Sequence, residues 1–569
     1  MIIYSSDYEL PDYPPNLAAL IQSNANRFQD HIVFQDRIQG EFSRLSWSTF
    51  YQDICRLQSG LRRLGLQTGD RVAILSRNRR EMLEIEMALM TMGAIAVPIF
   101  AGYPPAQADR LTHFCDPVAV VVADGAQYAK LDTPESFPTI IHFDDLLAKE
   151  PNLVSFADLL KEPAEADIAG LDVNPDTICL MMYTSGTMGK PKCVQLTHGN
   201  ILSQQAAMRV LWQLSEFDRI LAYLPWHHSF GGIFEKYAAL YNGATLSLEH
   251  GFGKDIRILL DNWEAVKPTV FFSVPKIYQE LVARMLQAPR LEEVIFHPEL
   301  RFIFTAAAPL PKNISKHFEE RNIPVYEGWG LTETSPCCTV TDPTIPRVPG
   351  IVGKPIPGVE IALAQDGEIL VRGPNVMKGY YKNPEETERV LIRDGWFRTG
   401  DVGTYTEAGL QLISRKDRIF KLSNAEKVIP TEIENVISED CLFLTHAYLA
   451  GSGRDYPVVL LFPNKTLLDN LPEESKLKEG CACPRSLEEF SHCLSHCLSE
   501  LNRELEVKYA RPRAAMLLDH ELSIENEELT PSMKLAPNVV GRAFKANIDY
   551  LYGEGPAPDE KVYVIQLEH

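Results

Sequence analysis

Short apolar strand patterns alternating with helical patterns predict a layered α/β fold with a largely parallel sheet. Strand patterns at residues 71–75, 95–99 and 118–122 bracket a helical pattern at 80–92, the sequence rhythm of βαβ units. Residues 177–182 repeat the buried-strand signal, and at 569 residues the chain exceeds what one simple core organises. Two or more domains are therefore expected.

In chain order, residues 17–28 have helical spacing, and 46–64 open on Ser46, a cap candidate, before an amphipathic pattern. Residues 130–175 are richer in Pro, Asp and Glu and read as a surface connection. Beyond the strand at 177–182, a short strand is expected at 194–196, with Thr197 capping a helix. PTVFFSVPKIYQEL, residues 268–281, reads as strand, Pro-marked turn and helix. FIFTAAAPL, residues 302–310, is a strand ending in small side chains, and residues 418–569 mix strands with long helical patterns.

Composition narrows the function classes. Apolar residues at 45% and charged residues at 23% are ordinary for a soluble globular protein. A formal charge of −21 argues against nucleic-acid binding by bulk attraction. The most apolar stretch, residues 87–101, is short and broken by Gly93 and Pro98, so no membrane span is expected, and at most peripheral membrane contact. The first residues show no basic region followed by an apolar core, and eleven cysteines then imply reduced thiols and a cytoplasmic setting.

The stretch YTSGTMGKPKCVQLTHGN, residues 183–200, concentrates the chemistry. Hydroxyls at Thr184, Ser185 and Thr187, glycines at Gly186 and Gly189, and Lys190 and Lys192 supply backbone donors, side-chain donors and compact positive charge. That set suits a polyphosphate, although a solvated hairpin loop has the same composition and the common Gly-x-x-x-x-Gly-Lys-Ser/Thr loop is not matched. In YEGWGLTET, residues 326–334, Trp329 offers an aromatic face, Thr332 a donor and Glu333 a hard oxygen ligand suited to magnesium.

The loop wording closely resembles the phosphate-loop signature of the AMP-forming adenylating enzymes, the superfamily of acyl-CoA synthetases, luciferases and adenylation domains. Further motifs follow in that family's order: LPWHH at 224–228, VPKIY at 274–278, GWGLTE at 328–333, WFRTGD at 396–401 and LTPSMK at 529–534. The resemblance covers nearly the whole chain and is closest to long-chain fatty acyl-CoA synthetases. It implies a large N-terminal domain of mixed sheets flanked by helices, residues 1–416, and a small mobile α+β domain, 417–569, hinged at Asp417. It implies that Thr184, Ser185, Gly186, Thr187 and Gly189 hold phosphates, and that Ala307, Ala308, Trp329 and Gly330 form the adenine site. Asp401 and Arg415 hold ribose. His228, Lys190, Thr332, Glu333 and Lys534 form the catalytic set, with Glu333 and Thr187 toward Mg²⁺. Trp226 is expected to line or gate the acyl site, and the Gly231–Gly232 pair to leave room beside it.

The implied reaction joins a medium- or long-chain fatty acid to coenzyme A through an acyl-adenylate, using ATP and Mg²⁺. Two alternatives stand beside it: an acyl- or aryl-adenylating ligase that loads an acyl-carrier protein, and a catalytically altered nucleotide-binding homologue. Departures from the family pattern motivate the second: Trp329 for tyrosine, Arg418 for an acidic residue, Ala425 for glycine, and no basic residue soon after Lys534. Outside the pattern, Cys481, Cys483, His492, Cys493, His496 and Cys497 bear metal-ligating side chains without an ordinary zinc spacing, and inward-packed cysteines on a helix would look the same.

Overall fold

The apolar runs become the strands of two large sheets. The computed structural model describes residues 2–567 except 39, 165–166, 185–191, 307–309, 349, 440, 442, 466–467, 469–483, 506, 524, 531–534 and 559. Contacts divide the chain into two units, one within residues 1–184, 191–399 and 404–411, the other within 400–403 and 412–569.

In the first unit, Ile178–Thr184, Ile95–Phe100, Arg71–Ser76, Ala119–Val122, Ile140–His142 and Leu153–Ser155 run parallel in one eight-stranded sheet. Lys192–Thr197 and Gly379–Tyr380 extend it antiparallel. Ala73, Leu75, Val97, Ile99, Val120, Val122 and Met181 form a core on one face of this sheet, and the intervening Val72, Ile74, Ala96 and Val121 are buried on the other, which is why its strands read as continuous apolar runs. The helices Leu17–Phe28 and Trp47–Arg63 fall where the spacing predicts them, and the Ser46 hydroxyl accepts the Thr49 N–H at 3.3 Å as N-cap. Residues 130–175 differ from expectation. Their Pro, Asp and Glu fill the connections, while Ile140–His142 and Leu153–Ser155 are the last two strands on one side of the sheet.

The second sheet has fourteen strands. At its heart Ile32–Ile38, Thr245–Leu248, Arg219–Ala222, Val270–Ser273, Phe302–Thr305 and Val325–Trp329 run parallel, flanked by antiparallel strands. The connections that leave the carboxyl ends of such strands are where ligands bind in open α/β sheets.

The second unit carries a four-stranded sheet of Leu444–Ala450, Val458–Pro463, Ala514–Leu518 and Val562–Gln566. Successive residues of Val458–Pro463 feed two cores. Val459 and Leu461 pack with Ile433, Ile437, Phe490, Leu494 and Leu498, whereas Val458, Leu460 and Phe462 pack with Val540, Phe544 and Leu551. The fold is thus α/β, with large mixed sheets flanked by helices and a smaller α+β unit.

Helix Leu487–Glu504 turns Leu494 and Leu498 inward and leaves His492, His496 and Cys497 exposed. Cys481 and Cys483 lie outside the described residues. Among the described residues no group of three or more His, Cys, Asp or Glu could hold a metal ion, and no helix is long and apolar enough to cross a membrane.

Candidate active site

Four motif segments leave carboxyl ends of the parallel strands: Leu224–Ser229 after Arg219–Ala222, Val274 after Val270–Ser273, Ala306 after Phe302–Thr305, and Gly330 after Val325–Trp329. The first and the last of them meet through side chains. Ser229 Oγ lies 3.0 Å from Thr332 Oγ1, so the LPWHHS turn touches the Thr332–Thr334 turn that carries Glu333. Gly330 is required between them, because a Cβ there would sit 1.7 Å from the Pro336 carbonyl oxygen. Trp329, 7% exposed, ends its strand with its carbonyl accepting the Cys338 N–H at 2.7 Å.

One segment, residues 373–381, holds the Glu333 turn in place. Thr197 and Asn200 form a reciprocal capping box at the start of helix His198–Trp212, at 3.1 and 2.9 Å. The Asn200 amide then donates to the carbonyls of Pro374 and Val376 at 2.7 and 2.9 Å. Asn375 Nδ2 donates to Thr334 O at 2.9 Å and Met377 N–H to Glu333 O at 2.8 Å. Finally Tyr380 Oη donates to Glu333 Oε1 at 2.7 Å. Burial, then the neighbouring Glu333 carboxylate, pushes the Tyr380 phenol above its ordinary range, so it remains a donor.

Strand Lys192–Thr197 leaves the phosphate-type loop, and Thr184, half-buried at the end of the preceding strand, pairs with Lys192 in register. Lys192 is engaged: its Nζ meets Glu386 Oε1 at 2.5 Å and stands 5.0 Å from the centre of the Tyr380 ring. The Arg389 guanidinium, then Lys192, hold the Glu386 carboxyl down to about 2.

His228 is half-buried, with Nδ1 accepting the Phe230 N–H at 3.3 Å and its carbonyl accepting Gly232 N–H at 2.7 Å. Two expectations about its neighbours are corrected. Trp226 presents no surface to a site: it is fully buried, its backbone N–H bonded to Asn78 Oδ1 at 2.9 Å and its ring 5.3 Å from Lys236 Nζ. Gly231 and Gly232 leave no room either. Their Cβ atoms would lie 2.5 Å from Leu224 O and 2.0 Å from Trp226 O, so these glycines let the chain fold back against its own backbone.

In the second unit Asp401 and Arg415 are brought together, Nη1 donating to Oδ1 at 3.0 Å. Gly400, at φ +73°, turns the chain so that its carbonyl accepts the Lys416 N–H at 2.8 Å. Arg415 Nε also stands 3.8 Å from Asp417. The Arg418 departure has a local reason: Arg418 pairs with the half-buried Glu434, which also accepts the Leu449 N–H at 2.7 Å, and lies 5.1 Å from the centre of the Tyr448 ring. Ala425 adopts φ +68°, the left-handed conformation glycine favours.

Ser185, Gly186, Thr187, Gly189, Lys190, Ala307, Ala308 and Lys534 lie outside the described residues. Tyr380, Ser229 and Asn375 were not singled out by the sequence, since each acts through contacts made only across the fold. Glu333 and the adjacent Thr332 hydroxyl are hard oxygen donors, a set that fits Mg²⁺, which commonly takes one or two carboxylates and completes its shell with phosphate and water.

Comparison with known proteins identifies the family. Residues 21–381 match the AMP-binding enzyme family and residues 417–555 the AMP-binding enzyme C-terminal domain. The chain is 26% identical to a long-chain-fatty-acid–CoA ligase of Mycobacterium bovis, over 95% of this chain and 97% of that protein. It is 32% identical to a feruloyl-CoA synthase of Amycolatopsis sp, over 69% and 77%. In fold it is similar to the anthranilate CoA ligase AuaEII bound to anthranoyl-AMP, with a TM-score of 0.75 at 20% identity over 94% and 98% of the two chains. The chain belongs to the AMP-binding enzyme family, the AMP-forming acid–thiol ligases.

Proposed function

We propose that the chain activates a medium- or long-chain fatty acid and transfers it to coenzyme A. Carboxylate and ATP give an acyl-adenylate and pyrophosphate; the coenzyme A thiol then attacks the acyl carbon, giving the thioester and AMP. The observation that carries the adenylation step is the 3.0 Å contact of Ser229 with Thr332, which seats the LPWHH turn beside Glu333. The fatty-acid reading is supported by similarity to long-chain ligases along the length of both chains.

In this reading two anions are brought together, and positive charge offsets their repulsion. Lys190 and the hydroxyls and N–H groups of Thr184, Ser185, Gly186, Thr187 and Gly189 hold the phosphates. Glu333, with Thr187, holds Mg²⁺, which when bound neutralises phosphate charge. Asp401 accepts from the ribose hydroxyls while Arg415 fixes its orientation, and Trp329 packs on adenine beside Gly330, Ala307 and Ala308. His228 borders the acyl carboxylate. Lys534 neutralises the reacting charges in the first step, and a hinge at Asp417 withdraws it for the second. Cys115, Cys179, Cys193, Cys337 and Cys497 are free thiols, which supports a reducing, cytoplasmic setting.

A second reading, an aryl acid as substrate, is favoured by the 32% identity to feruloyl-CoA synthase. Pyrophosphate release measured with a panel of fatty and aryl acids, with and without coenzyme A, separates them. Release peaking at one aliphatic length and accelerated by coenzyme A supports the first reading. A maximum on an aryl acid supports the second, and dependence on a carrier protein in place of coenzyme A overturns both as written.

A further inference from the structure

We propose that Tyr380 is a positioning residue for the divalent cation, acting through Glu333; the inference rests on the reading of Glu333 as a metal ligand. Tyr380 Oη donates to Oε1 of Glu333 at 2.7 Å, and both side chains are buried, at 5% and 8% exposed. Glu333 Oε2 has no partner among the described residues, so the hydrogen bond fixes one oxygen and orients the other. A carboxylate held this way enters coordination without first being ordered, and partners of this kind around a metal ligand typically govern affinity by 10–100-fold.

The placement of Tyr380 is itself determined on three sides. Its strand, Gly379–Tyr380, pairs with Val194 and Gln195 of the strand leaving the phosphate-type loop. Its N–H donates to Thr387 Oγ1 at 2.9 Å, and the Gly379 position admits no Cβ, which would lie 2.7 Å from Thr387 Cγ2. Its ring lies beneath Lys192 Nζ, which Glu386 anchors at 2.5 Å. Lys192, by sequence one of the loop's two cations, therefore braces the tyrosine instead of standing free for a phosphate. The chain leaving the loop and the carboxylate are joined through one phenol.

The test is Mn²⁺ binding, followed by electron paramagnetic resonance, to the full chain with the non-cleavable α,β-methylene analogue of ATP. Tyr380→Phe removes only the hydroxyl; it is expected to weaken Mn²⁺ about 10-fold while binding of the analogue in EDTA stays within about 2-fold. Glu333→Gln is expected to weaken Mn²⁺ at least as much, and adding Tyr380→Phe to it to cost no more, since the phenol then has no carboxylate to orient. Unchanged Mn²⁺ affinity in Tyr380→Phe with a loss in Glu333→Gln overturns the inference and leaves the reading of Glu333 standing. No loss in either overturns the reading as well. Equal losses with and without metal, or additive losses in the double variant, show that Tyr380 only supports the local packing and also overturn the inference.

Discussion

At the scale of single residues, Asp401 and Arg415 were legible from WFRTGD and ISRKD, and the structure sets them 3.0 Å apart. In the proposed role of Asp401 as acceptor for the ribose hydroxyls, removing the charged hydrogen-bond partner costs about 1.5–3 kcal/mol. Asp401→Ala is therefore expected to lower kcat/KM for ATP about 10–100-fold in pyrophosphate release, with KM carrying most of the change. Ala425 was legible only as a departure from pattern; its φ of +68° shows that the backbone still takes the glycine conformation. Relief of that strain, less the entropy glycine adds to the unfolded chain, gives Ala425→Gly an expected gain of up to about 1 kcal/mol in thermal unfolding. Tyr380 and Ser229 could not be singled out beforehand, because their hydroxyl partners are 47 and 103 residues away in sequence.

At the scale of elements, strand and helix positions followed from hydrophobic spacing, because burial of an apolar face imposes the period of the element that buries it. Spacing was blind to the LPWHHSFGGIFEK segment. Its glycines signalled open space, yet they serve close backbone contact, and its Lys236 is fully buried against Glu86 of helix Arg80–Thr91 at 2.6 Å. The same ammonium lies 5.3 Å from the Trp226 ring and 5.2 Å from that of Tyr237, so one buried pair ties two helices and the tryptophan together. Lys236→Met leaves Glu86 charged and unpaired and is expected to cost about 3–5 kcal/mol in denaturant unfolding. Adding Glu86→Leu is expected to recover most of that loss, because the remaining cost of an isolated buried charge disappears.

At the scale of the whole molecule, pH reads out how one imidazole joins distant segments. His198 Nδ1 accepts the Leu17 N–H at 3.3 Å, and burial holds the ring down to about 4 from 6.5. The folded chain keeps this histidine neutral, whereas the unfolded chain protonates it as pH falls through about 6.5. Its stabilisation is complete above about pH 6.5 and is lost progressively down to about pH 4, a change of about 3 kcal/mol. His198→Asn, which keeps an acceptor for Leu17, is expected to flatten the stability profile across that window in unfolding measured at stepped pH. By itself the sequence determined the layered α/β class, the order of the motifs and the family, because periodicity and short loops of special chemistry are local. Tertiary structure alone decided that residues 130–175 add strands to a sheet, that Trp226 is buried, that Lys192 braces Tyr380, and that Tyr380 orients Glu333. Those outcomes depend on which distant groups meet in a low-dielectric interior, where an unpaired charge or donor is expensive and each partner is chosen by the fold.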